Sequence, residues 1–323
     1  MRLSAMTSQN VVYSKLSARR RYEVWFLRLG LADHSGAWWF RYLLMNPGHG
    51  GCPGHLLGRP VQVWASWFPR DGSPQSFIQG FSPDGLRLSG RGESPFLFEI
   101  QDNTIQENSC RGKLNVDGHD VRWSLRYRST FSVVVSDKGW FGFVRTAHSD
   151  GAFAGEVSLD GRVFQGDPLG FGLQGHNCGY RHRGFWRWAH AYFPRPGKNA
   201  TTLEALAYDM PFGLVFRRAV LWHEGRATIC HKVRETALDS KTLQWNLQCT
   251  ARDGTTVEAA IDGRGTGIHR LPYLKTDCSA AFEVANNSLA AATIQVQRPG
   301  EALEKLATDS GAVVEMAISG KAG

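Results

Sequence analysis

The sequence predicts an all-β protein built of two antiparallel β-barrels. Seven Asp-Gly dipeptides recur along the 323 residues, and Asp-Gly between apolar runs is a strong signal for a tight hairpin turn. The runs between them are short, alternate in polarity and are rich in Trp, Phe, Val and Thr. Because hairpins leave no room for the crossover helices of a parallel sheet, an antiparallel barrel or sandwich is favoured over an α/β fold.

The predicted strands follow one another along the chain, each bounded by turn residues. They cover residues 25–31, 37–44, 61–68, 121–128, 132–136, 185–193, 203–208, 214–222, 227–233, 243–250 and 255–261, and a last strand covers 313–318. One short helix is predicted over 299–307, because Pro299 suits a helix start, acidic residues follow, and Leu303 and Leu306 repeat at helical spacing. So many strands in 323 residues favour two barrels over one.

A glycine-rich and turn-rich stretch at 155–179 divides the predicted strands into two groups. The predicted organisation is an N-terminal extension at 1–19, a first barrel at 20–165 and a second barrel at 166–320, with the segment 170–193 at their interface. A second break rich in glycine and proline, at 45–55, predicts a long loop over one end of the first barrel.

Basic residues outnumber acidic residues by 37 to 29, which gives a net charge of +8. The arginines are dispersed and alternate with aromatic residues in predicted strands such as 123–128, which is typical of a strand with one solvated face. Attraction to an anionic membrane surface or to an acidic ligand is the other interpretation. Since no zinc-finger, homeodomain or RNP-type signature accompanies the charge, we predict no nucleic-acid partner.

The location of the protein is predicted from what the sequence lacks. No apolar run approaches the roughly 20 residues of a transmembrane helix, and the first 25 residues hold no apolar block like that of a secretory signal. We therefore predict a cytoplasmic protein, with peripheral contact at a membrane as the alternative. The six cysteines include no CxxC pair and are predicted to be reduced and mostly buried.

The segment 170–193 carries the strongest chemical signal. Five glycines in it permit close backbone approach, and a strongly aromatic strand follows them. Under strand alternation Trp186, Trp188, His190 and Tyr192 share one face. That face is either the packed interior of a barrel or the wall of a ligand pocket, and a pocket would give the polar groups of His190 and Tyr192 a partner.

Residues 170–179, followed by Trp186-Arg187-Trp188, resemble the carotenoid 1,2-hydratase and tocopherol cyclase group of lipocalin-like proteins. The hydratase branch of that group carries a segment of the form Gly-Tyr-x-Asp-His-Asn-Trp-Gly before a Trp-x-Trp strand. Aromatic strands at 23–26 and 38–42 and a closing strand at 278–288 also resemble this group. The resemblance implies two lipocalin-like β-barrels, a lipophilic substrate in an apolar cavity, and acid-initiated chemistry on an isoprenoid alkene.

Two positions depart from the hydratase pattern. Gly175 stands where the pattern has Asp, and Cys178 stands where it has Trp, while His176 and Asn177 are kept. Protonation of an alkene needs a carboxylic acid whose pKa is raised by burial, so that it still holds its proton near neutrality. Another carboxyl therefore has to replace the missing Asp.

Three carboxyl groups are candidates for this acid: Asp167, Glu204 and Asp209. We favour Glu204, because it shares strand parity with Leu206 and Tyr208. An ordinary solvated glutamate is the competing interpretation of the same residue.

The site residues and their roles are predicted as follows. The catalytic residues are His176, Asn177, Glu204 and His190, and the substrate-binding residues are Trp186, Trp188, Tyr192, Tyr180 and Trp38. Glu204 would donate the proton, a histidine would remove a proton or position water, Asn177 would orient the histidine or the substrate, and the rings would stabilise a cation. No nucleotide-binding glycine motif is present and the histidine spacings match no metal motif, so we predict no cofactor and no metal.

These observations favour a cofactor-independent enzyme that cyclises, isomerises or hydrates a hydrophobic isoprenoid or polyketide-type substrate. The alternative is a non-catalytic carrier of a lipophilic ligand with the same fold, which Gly175 favours. A structural partner within a biosynthetic complex is a third interpretation. The predicted partner is a hydrophobic small molecule, and the sequence leaves the oligomeric state open.

Overall fold

The computed structural model describes residues 10–13, 20–89, 95–138, 142–182, 184–264, 267–279 and 281–318. Strands hold 68% of the residues and helices 3%, which confirms the all-β prediction. In the described part of the chain, 21 strands form two antiparallel sheets. No helix among these residues is long and apolar enough to cross a membrane. Most of the predicted N-terminal extension lies outside the described residues.

The first sheet contains twelve strands and curves into a half-barrel. In chain order they are β1 (Tyr22–Leu31), β2 (Gly36–Met45), β3 (Val61–Pro69), β4 (Gln75–Phe81), β5 (Arg87–Leu88), β6 (Leu97–Ile100), β7 (Asn103–Gln106), β8 (Ser109–Val116), β9 (His119–Arg128), β10 (Val133–Asp137), β11 (Gly142–Leu159) and β12 (Arg162–Gly179). Their order across the sheet is β4-β3-β2-β1-β12-β11-β9-β8-β7-β6-β5, and β10 pairs with β11. Because β4 and β5 form its two edges, this sheet is an open half-barrel where the sequence predicted a barrel.

The second sheet contains nine strands, eight of which close into a barrel. In chain order they are β13 (Trp186–Phe193), β14 (Thr201–Asp209), β15 (Val215–His223), β16 (Arg226–Asp239), β17 (Gln244–Ala251), β18 (Thr256–Asp262), β19 (His269–Leu274), β20 (Ala281–Gln297) and β21 (Glu304–Ile318). The order is β18-β17-β16-β15-β14-β13-β21-β20-β19, and pairing of β18 with one half of β20 closes the barrel. The other half of β20 pairs with β19.

The chain passes from the first sheet to the second between Gly179 and Trp186. The boundary predicted at residue 165 lies inside β12, upstream of this crossing. The segment 170–193 therefore contains the end of one sheet and the beginning of the other. The division into two domains at this segment stays a prediction.

The two faces of β1 show how alternation positions the interface between the sheets. Trp25 and Leu27 pack into the core of the half-barrel. Val24 and Phe26, on the opposite face, pack against residues of the second sheet. The apolar residues buried between the sheets are Val24, Phe26, Ala37, Trp39, Leu43, Phe68, Phe131, Val133, Val135, Leu173, Trp188, Leu206, Tyr208, Val220, Leu289 and Val313.

The helix predicted over 299–307 is wrong. Pro299 and Gly300 form a turn, with Gly300 at φ 77°, and β21 begins at Glu304. Glu304 and Leu306 pair with Val296 and Ile294 on β20. The local helix signals are overruled because pairing with β20 satisfies the backbone of this segment, and Leu306 packs partly buried against the barrel core.

The Asp-Gly signal is correct at six of its seven positions, where a turn or strand end follows. The exception is Asp150-Gly151, which lies inside β11 at a shift of register against β12. The Asp150 carboxylate accepts hydrogen bonds from the backbone N–H groups of Thr130 and Phe131, both at 2.9 Å. The aspartate therefore ties the start of β10 to an irregular part of β11 instead of making a hairpin.

The prediction that all cysteines are reduced is wrong for two of them. Cys52 and Cys278 form a disulfide bond, although 226 residues separate them. It joins the loop between β2 and β3 of the first sheet to the loop between β19 and β20 of the second. No pattern in the sequence indicates this pairing, because only the packing of the two sheets brings the two loops together. The other four cysteines are buried, as predicted.

Candidate functional site

Glu204 lies on β14 at the interface between the two sheets and is 1% exposed. Its Oε1 accepts hydrogen bonds from the Thr146 hydroxyl at 2.8 Å and from the Trp188 indole N–H at 2.9 Å. Within the described residues, Oε2 has no hydrogen-bond partner. Burial raises the pKa of Glu204 to about 7, although the two hydrogen bonds oppose the rise. This carboxyl therefore holds its proton close to neutrality, unlike a solvated glutamate.

Trp188 of β13, which donates to Glu204, belongs to an aromatic cluster with Phe26 of β1 and Trp39 of β2. The ring centroids lie 5.4 Å apart for Phe26 and Trp39, 5.6 Å for Phe26 and Trp188, and 6.0 Å for Trp39 and Trp188. All three side chains are buried. The acid thus lies beside π faces contributed by both sheets, a setting that favours a positive charge on a neighbouring molecule.

His190 is the direct cross-strand partner of Glu204. Its Nε2 lies 2.8 Å from the Ser149 carbonyl, and because a carbonyl only accepts, this nitrogen carries the hydrogen. Nδ1 is then the basic nitrogen, and it has no hydrogen-bond partner in the described part of the chain. The pKa of His190 is lowered to about 3, mainly by burial and in part by the positive charge of Arg28, while the hydrogen bond to Ser149 opposes the shift. The imidazole is therefore neutral and offers one free lone pair.

The predicted alternation along β13 is correct, but this face does not fill the core of its own barrel. Trp188 contacts Phe26 of the first sheet, and the Tyr192 ring stacks on Phe171 of β12 at 5.2 Å. Trp186 lies at the other end of the same face, next to β19 and β20. Trp188 and Tyr192 therefore face the first sheet.

The position of the missing Asp lies on the same interface. Gly175 is the cross-strand neighbour of Phe26 on β1 and of Thr146 on β11. A Cβ atom at Gly175 would lie 2.3 Å from Cζ of Phe26, so the Phe26 ring occupies the space that an Asp side chain would need. Thr146 in turn donates its hydroxyl hydrogen to Glu204. The second sheet therefore brings a carboxyl to the immediate neighbourhood of position 175.

A second polar group lies at the interface, centred on Glu315 of β21. Its Oε1 accepts the Trp186 indole N–H at 3.2 Å, and its Oε2 accepts the Tyr273 hydroxyl at 3.2 Å and the Asn286 amide at 3.3 Å. The Tyr273 oxygen also accepts a short hydrogen bond from the Arg41 guanidinium of β2. Burial and the Glu315 charge raise the pKa of Tyr273, although Arg41 opposes the shift. Tyr273 thus keeps its hydrogen and bridges the cation and the carboxylate.

Arg28 of β1 ties the two sheets together and is 1% exposed. Its guanidinium donates to the carbonyl of Ser288 at 2.8 and 3.1 Å, to that of Ser310 at 2.5 Å and to that of Phe171 at 3.3 Å. Burial lowers its pKa to about 10. Ser310 also lines an open cleft of about 770 Å³. The cleft therefore lies against Arg28, at one end of the interface.

His176, a predicted catalytic residue, lies on the opposite face of the first sheet from Gly175. Its Nε2 lies 2.8 Å from Glu23 Oε1, and both side chains are fully buried. Its ring stacks on Trp25 at 4.8 Å and meets Phe143 edge-on at 4.7 Å. These partners belong to the half-barrel, so the structure does not bring His176 to Glu204.

The remaining predicted residues also lie apart from Glu204. Trp38 is buried in the core of the half-barrel, where its ring lies 4.9 Å from Trp67. The Tyr180 ring lies under the Arg21 guanidinium, which is 4.7 Å from its centroid. Asn177 is half-buried on the interface face of β12, two residues beyond Gly175.

The two other candidate acids differ from Glu204 in their surroundings. Asp167 is exposed on β12. Asp209, at the end of β14, accepts a hydrogen bond from the backbone N–H of Phe185 at 3.2 Å and is half-buried. Neither carboxyl has the burial that raises the pKa of Glu204.

Sequence reasoning missed Thr146, Arg41, Tyr273 and Glu315. A signal was present for Arg41, because it interrupts a strand whose residues are otherwise apolar on both faces, Ala37-Trp38-Trp39-Phe40 and Tyr42-Leu43-Leu44. An arginine in such a strand has no solvated face to occupy. The other three residues stand in ordinary alternating strands, and no local pattern marks them.

One group of possible metal ligands lies in the described residues, away from the interface: His223, Glu224 and Glu304. Arg195 lies 2.9 Å from Glu304 and 3.2 Å from Glu224, and Arg298 lies 3.5 Å from Glu224. His223 lies 2.9 Å from Glu304. With two arginines already neutralising the carboxylates, the group is an ion-pair network.

Comparison with known proteins identifies the fold. No family model matches the chain, and no curated protein matches its sequence. Kievitone hydratase from Nectria haematococca superposes with a TM-score of 0.56 at 12% identity, over 96% of this chain and 93% of that one. CghA in complex with Sch210972 superposes with a TM-score of 0.63 at 10% identity, over 93% of this chain and 88% of that one.

An AttH-like protein from Nitrosomonas europaea superposes with a TM-score of 0.50 at 10% identity, over 98% of this chain and 99% of that one. The likeness to these three proteins extends over nearly the whole chain in each case. It shows that the chain has their lipocalin-like fold.

Proposed function

We propose that this protein is a cofactor-independent enzyme that protonates an alkene of a hydrophobic, isoprenoid or polyketide-type substrate, with Glu204 as the acid. The observation that carries the proposal is the Glu204 carboxyl itself, which is buried, has a pKa raised to about 7 by that burial, and has an Oε2 without a partner in the described structure. An acid of this pKa is matched to proton transfer near neutral pH. The likeness of this protein in fold to a hydratase supports an enzymatic reaction of this general kind.

In the first step, the Glu204 Oε2–H bond breaks and the alkene π electrons form a new C–H bond. A carbocation is left on the neighbouring carbon, and Glu204 becomes a carboxylate. The Thr146 hydroxyl and the Trp188 N–H, which already donate to Oε1, stabilise the new negative charge. The π faces of Phe26, Trp39 and Trp188 stabilise the cation, an effect of about 2 kcal/mol or more for a desolvated charge.

The cation then has three outcomes, each of which needs a base. Addition of water followed by loss of a proton gives hydration, attack by a second alkene followed by loss of a proton gives cyclisation, and loss of a neighbouring proton alone gives isomerisation. His190 Nδ1 is the base in this scheme, since it is neutral, unpartnered in the described residues and next to Glu204. Return of the proton to the Glu204 carboxylate restores the starting state.

Gly175 favours a second candidate function, that of a lipophile carrier. The Asp of the hydratase pattern is missing, and the Phe26 ring fills the space next to Gly175. In a carrier the aromatic cluster would hold the ligand, and Glu204 would serve only as a buried polar partner of Trp188 and Thr146.

The test is incubation with a panel of isoprenoids, namely geraniol, farnesol, squalene, lycopene and the carboxylic acid farnesoic acid, with products separated by chromatography and identified by mass spectrometry. An enzyme yields a product heavier by one water, or an isomer of equal mass at a new retention time. Glu204→Gln should abolish that product, while the matched control Glu156→Gln, an exposed glutamate of β11, should not. If the wild-type protein retains one of these lipids unchanged, the carrier function is supported instead.

A further inference from the structure

Arg41 is a buried cation whose charge is not directly paired. Arg41 is 7% exposed, and in the described structure its guanidinium donates a hydrogen bond to the Tyr273 hydroxyl. The guanidinium carbon lies 4.8 Å from the Trp64 ring centroid and 4.5 Å from that of Tyr273. Nε has no hydrogen-bond partner among the described residues, and none of their carboxylates forms an ion pair with Arg41. Burial of such a charge is costly unless a partner completes it.

Arg28, in the same interface, is a buried arginine whose guanidinium nitrogens all donate hydrogen bonds. Its guanidinium donates to three backbone carbonyls from both sheets. That set of partners explains Arg28 as a tie between the sheets. Arg41 has one phenol hydroxyl in place of three carbonyls, so the same structural explanation does not extend to it.

The charged and titratable groups around Arg41 are Glu315, Tyr273 and His182. Glu315 is occupied by hydrogen bonds from Tyr273, Trp186 and Asn286, and it reaches Arg41 only through the Tyr273 oxygen. Burial, together with the charge of Arg41, lowers the pKa of His182 to about 3, so its ring is neutral. An anion bound to Arg41 would thus lie next to the positive charge of Arg41, whereas the negative charge of Glu315 lies farther away, behind Tyr273.

The geometry of the free edge points to a planar anion with two oxygens. A guanidinium presents parallel N–H groups that match a carboxylate in a bidentate pair. In Arg41 one terminal nitrogen is engaged by Tyr273, and Nε is a buried donor without a partner in the described residues, which a carboxylate bound along that edge would satisfy. The Trp64 and Tyr273 rings flank the guanidinium and exclude water from it.

A row of cross-strand neighbours in the first sheet leads from Arg41 to Thr146, the residue that donates to Glu204 of the second sheet. Arg41 pairs with Phe26, Phe26 with Gly175, and Gly175 with Thr146, whose hydroxyl donates to Glu204. Neighbouring strands lie about 4.8 Å apart, so the row spans about 14 Å. The aromatic cluster lies along this row, because Phe26 contacts both Trp39 and Trp188.

We propose that Arg41 and Tyr273 form a carboxylate-binding subsite, so that the ligand of this interface is a hydrophobic chain with a carboxylate at one end. The carboxylate pairs with Arg41, the chain lies along the aromatic cluster, and a double bond farther along the chain reaches Glu204. That the ligand is also a substrate rests on the proposed function, but the subsite itself does not.

The test compares binding of cis-parinaric acid with binding of its methyl ester, measured by fluorescence titration. The wild-type protein should bind the acid at least about tenfold more tightly, as expected of a hydrogen bond to a charged group. Arg41→Met should remove the preference and leave the affinity for the ester unchanged. Arg41→Lys, which keeps the charge but not the parallel N–H groups, should keep only part of the preference for the acid over the ester. The control Arg126→Met, at an exposed arginine of β9, should keep the full preference.

A wild-type protein that binds acid and ester equally would overturn the subsite, and so would a preference that survives in a folded Arg41→Met variant. If Arg41→Met does not fold, Tyr273→Phe provides the second variant, and it should weaken the preference without abolishing it. Glu204→Gln separates this proposal from the proposed function. It should lose turnover while it keeps the preference for the acid.

Discussion

The replacement of Glu204 by glutamine should change how the stability of the protein depends on pH. Burial raises the pKa of Glu204 from 4.5 to about 7 in the folded protein, so the folded state binds this proton more tightly than the unfolded chain does. The contribution of Glu204 to the free energy of unfolding is therefore greatest below pH 4.5, falls as the pH rises to 7, and is constant above that. At about 1.4 kcal/mol per pH unit, the total fall is about 3 kcal/mol.

Glutamine cannot ionise, so the variant should lack this fall. Urea unfolding at pH 4, 5, 6, 7 and 8 measures it for the wild type and for Glu204→Gln. The two proteins should have similar stabilities at pH 4, and the variant should be the more stable one at pH 8 by about 3 kcal/mol. A constant difference between the two proteins across the series would refute the reasoning, because it would mean that Glu204 titrates alike in the folded and unfolded states.

Three further predictions concern the interface. Gly175→Ala places a Cβ 2.3 Å from the Phe26 ring and should lower the free energy of unfolding by about 1–3 kcal/mol, with an unchanged urea midpoint as the contrary result. Loss of the Cys52–Cys278 disulfide, by reduction or by replacement of both cysteines with serine, opens a loop of 226 residues and should cost about 5 kcal/mol in the same assay. His190→Asn should slow turnover by about 100-fold or more and leave lipid affinity unchanged, and an unaltered rate would remove His190 from the mechanism.

The fold could be predicted in large part because its signals are local. Alternation and Asp-Gly turns depend on a few neighbouring residues, and every predicted strand is present, although β16 and β21 extend well beyond their predicted ends. The strands β11 and β12 were missed, because their many glycines hide the alternation. The short helix failed for a reason that is not local, since pairing with β20 decides the conformation of the segment at Glu304. The half-barrel likewise depends on whether β4 and β5 meet, which no short segment encodes.

The site could be predicted only in part. Parity placed Glu204 and the β13 residues on definite faces, and in the structure His190 and Trp188 lie beside Glu204. Strand parity does not say which sheet a face meets. On sequence alone His176 is therefore grouped with Glu204, although in the structure His176 faces the core of the half-barrel, on the opposite side of the first sheet from Gly175.

The second polar group shows the same limit. Arg41 and Tyr273 are separated by 232 residues in the chain, and their contact exists only because the two sheets pack together. The strand around Arg41 marks it as an arginine without a solvated face, but nothing in the sequence names Tyr273 or Glu315 as its neighbours.

The central claim is that Glu204 transfers a proton to carbon, and incubation in deuterium oxide tests it most directly. A lipid from the panel that turns over in the wild-type protein should gain one deuterium on carbon, as read by mass spectrometry and NMR, and Glu204→Gln should form no deuterated product. Deuterium on carbon at an equal rate in Glu204→Gln, or a product without deuterium on carbon, would contradict the account.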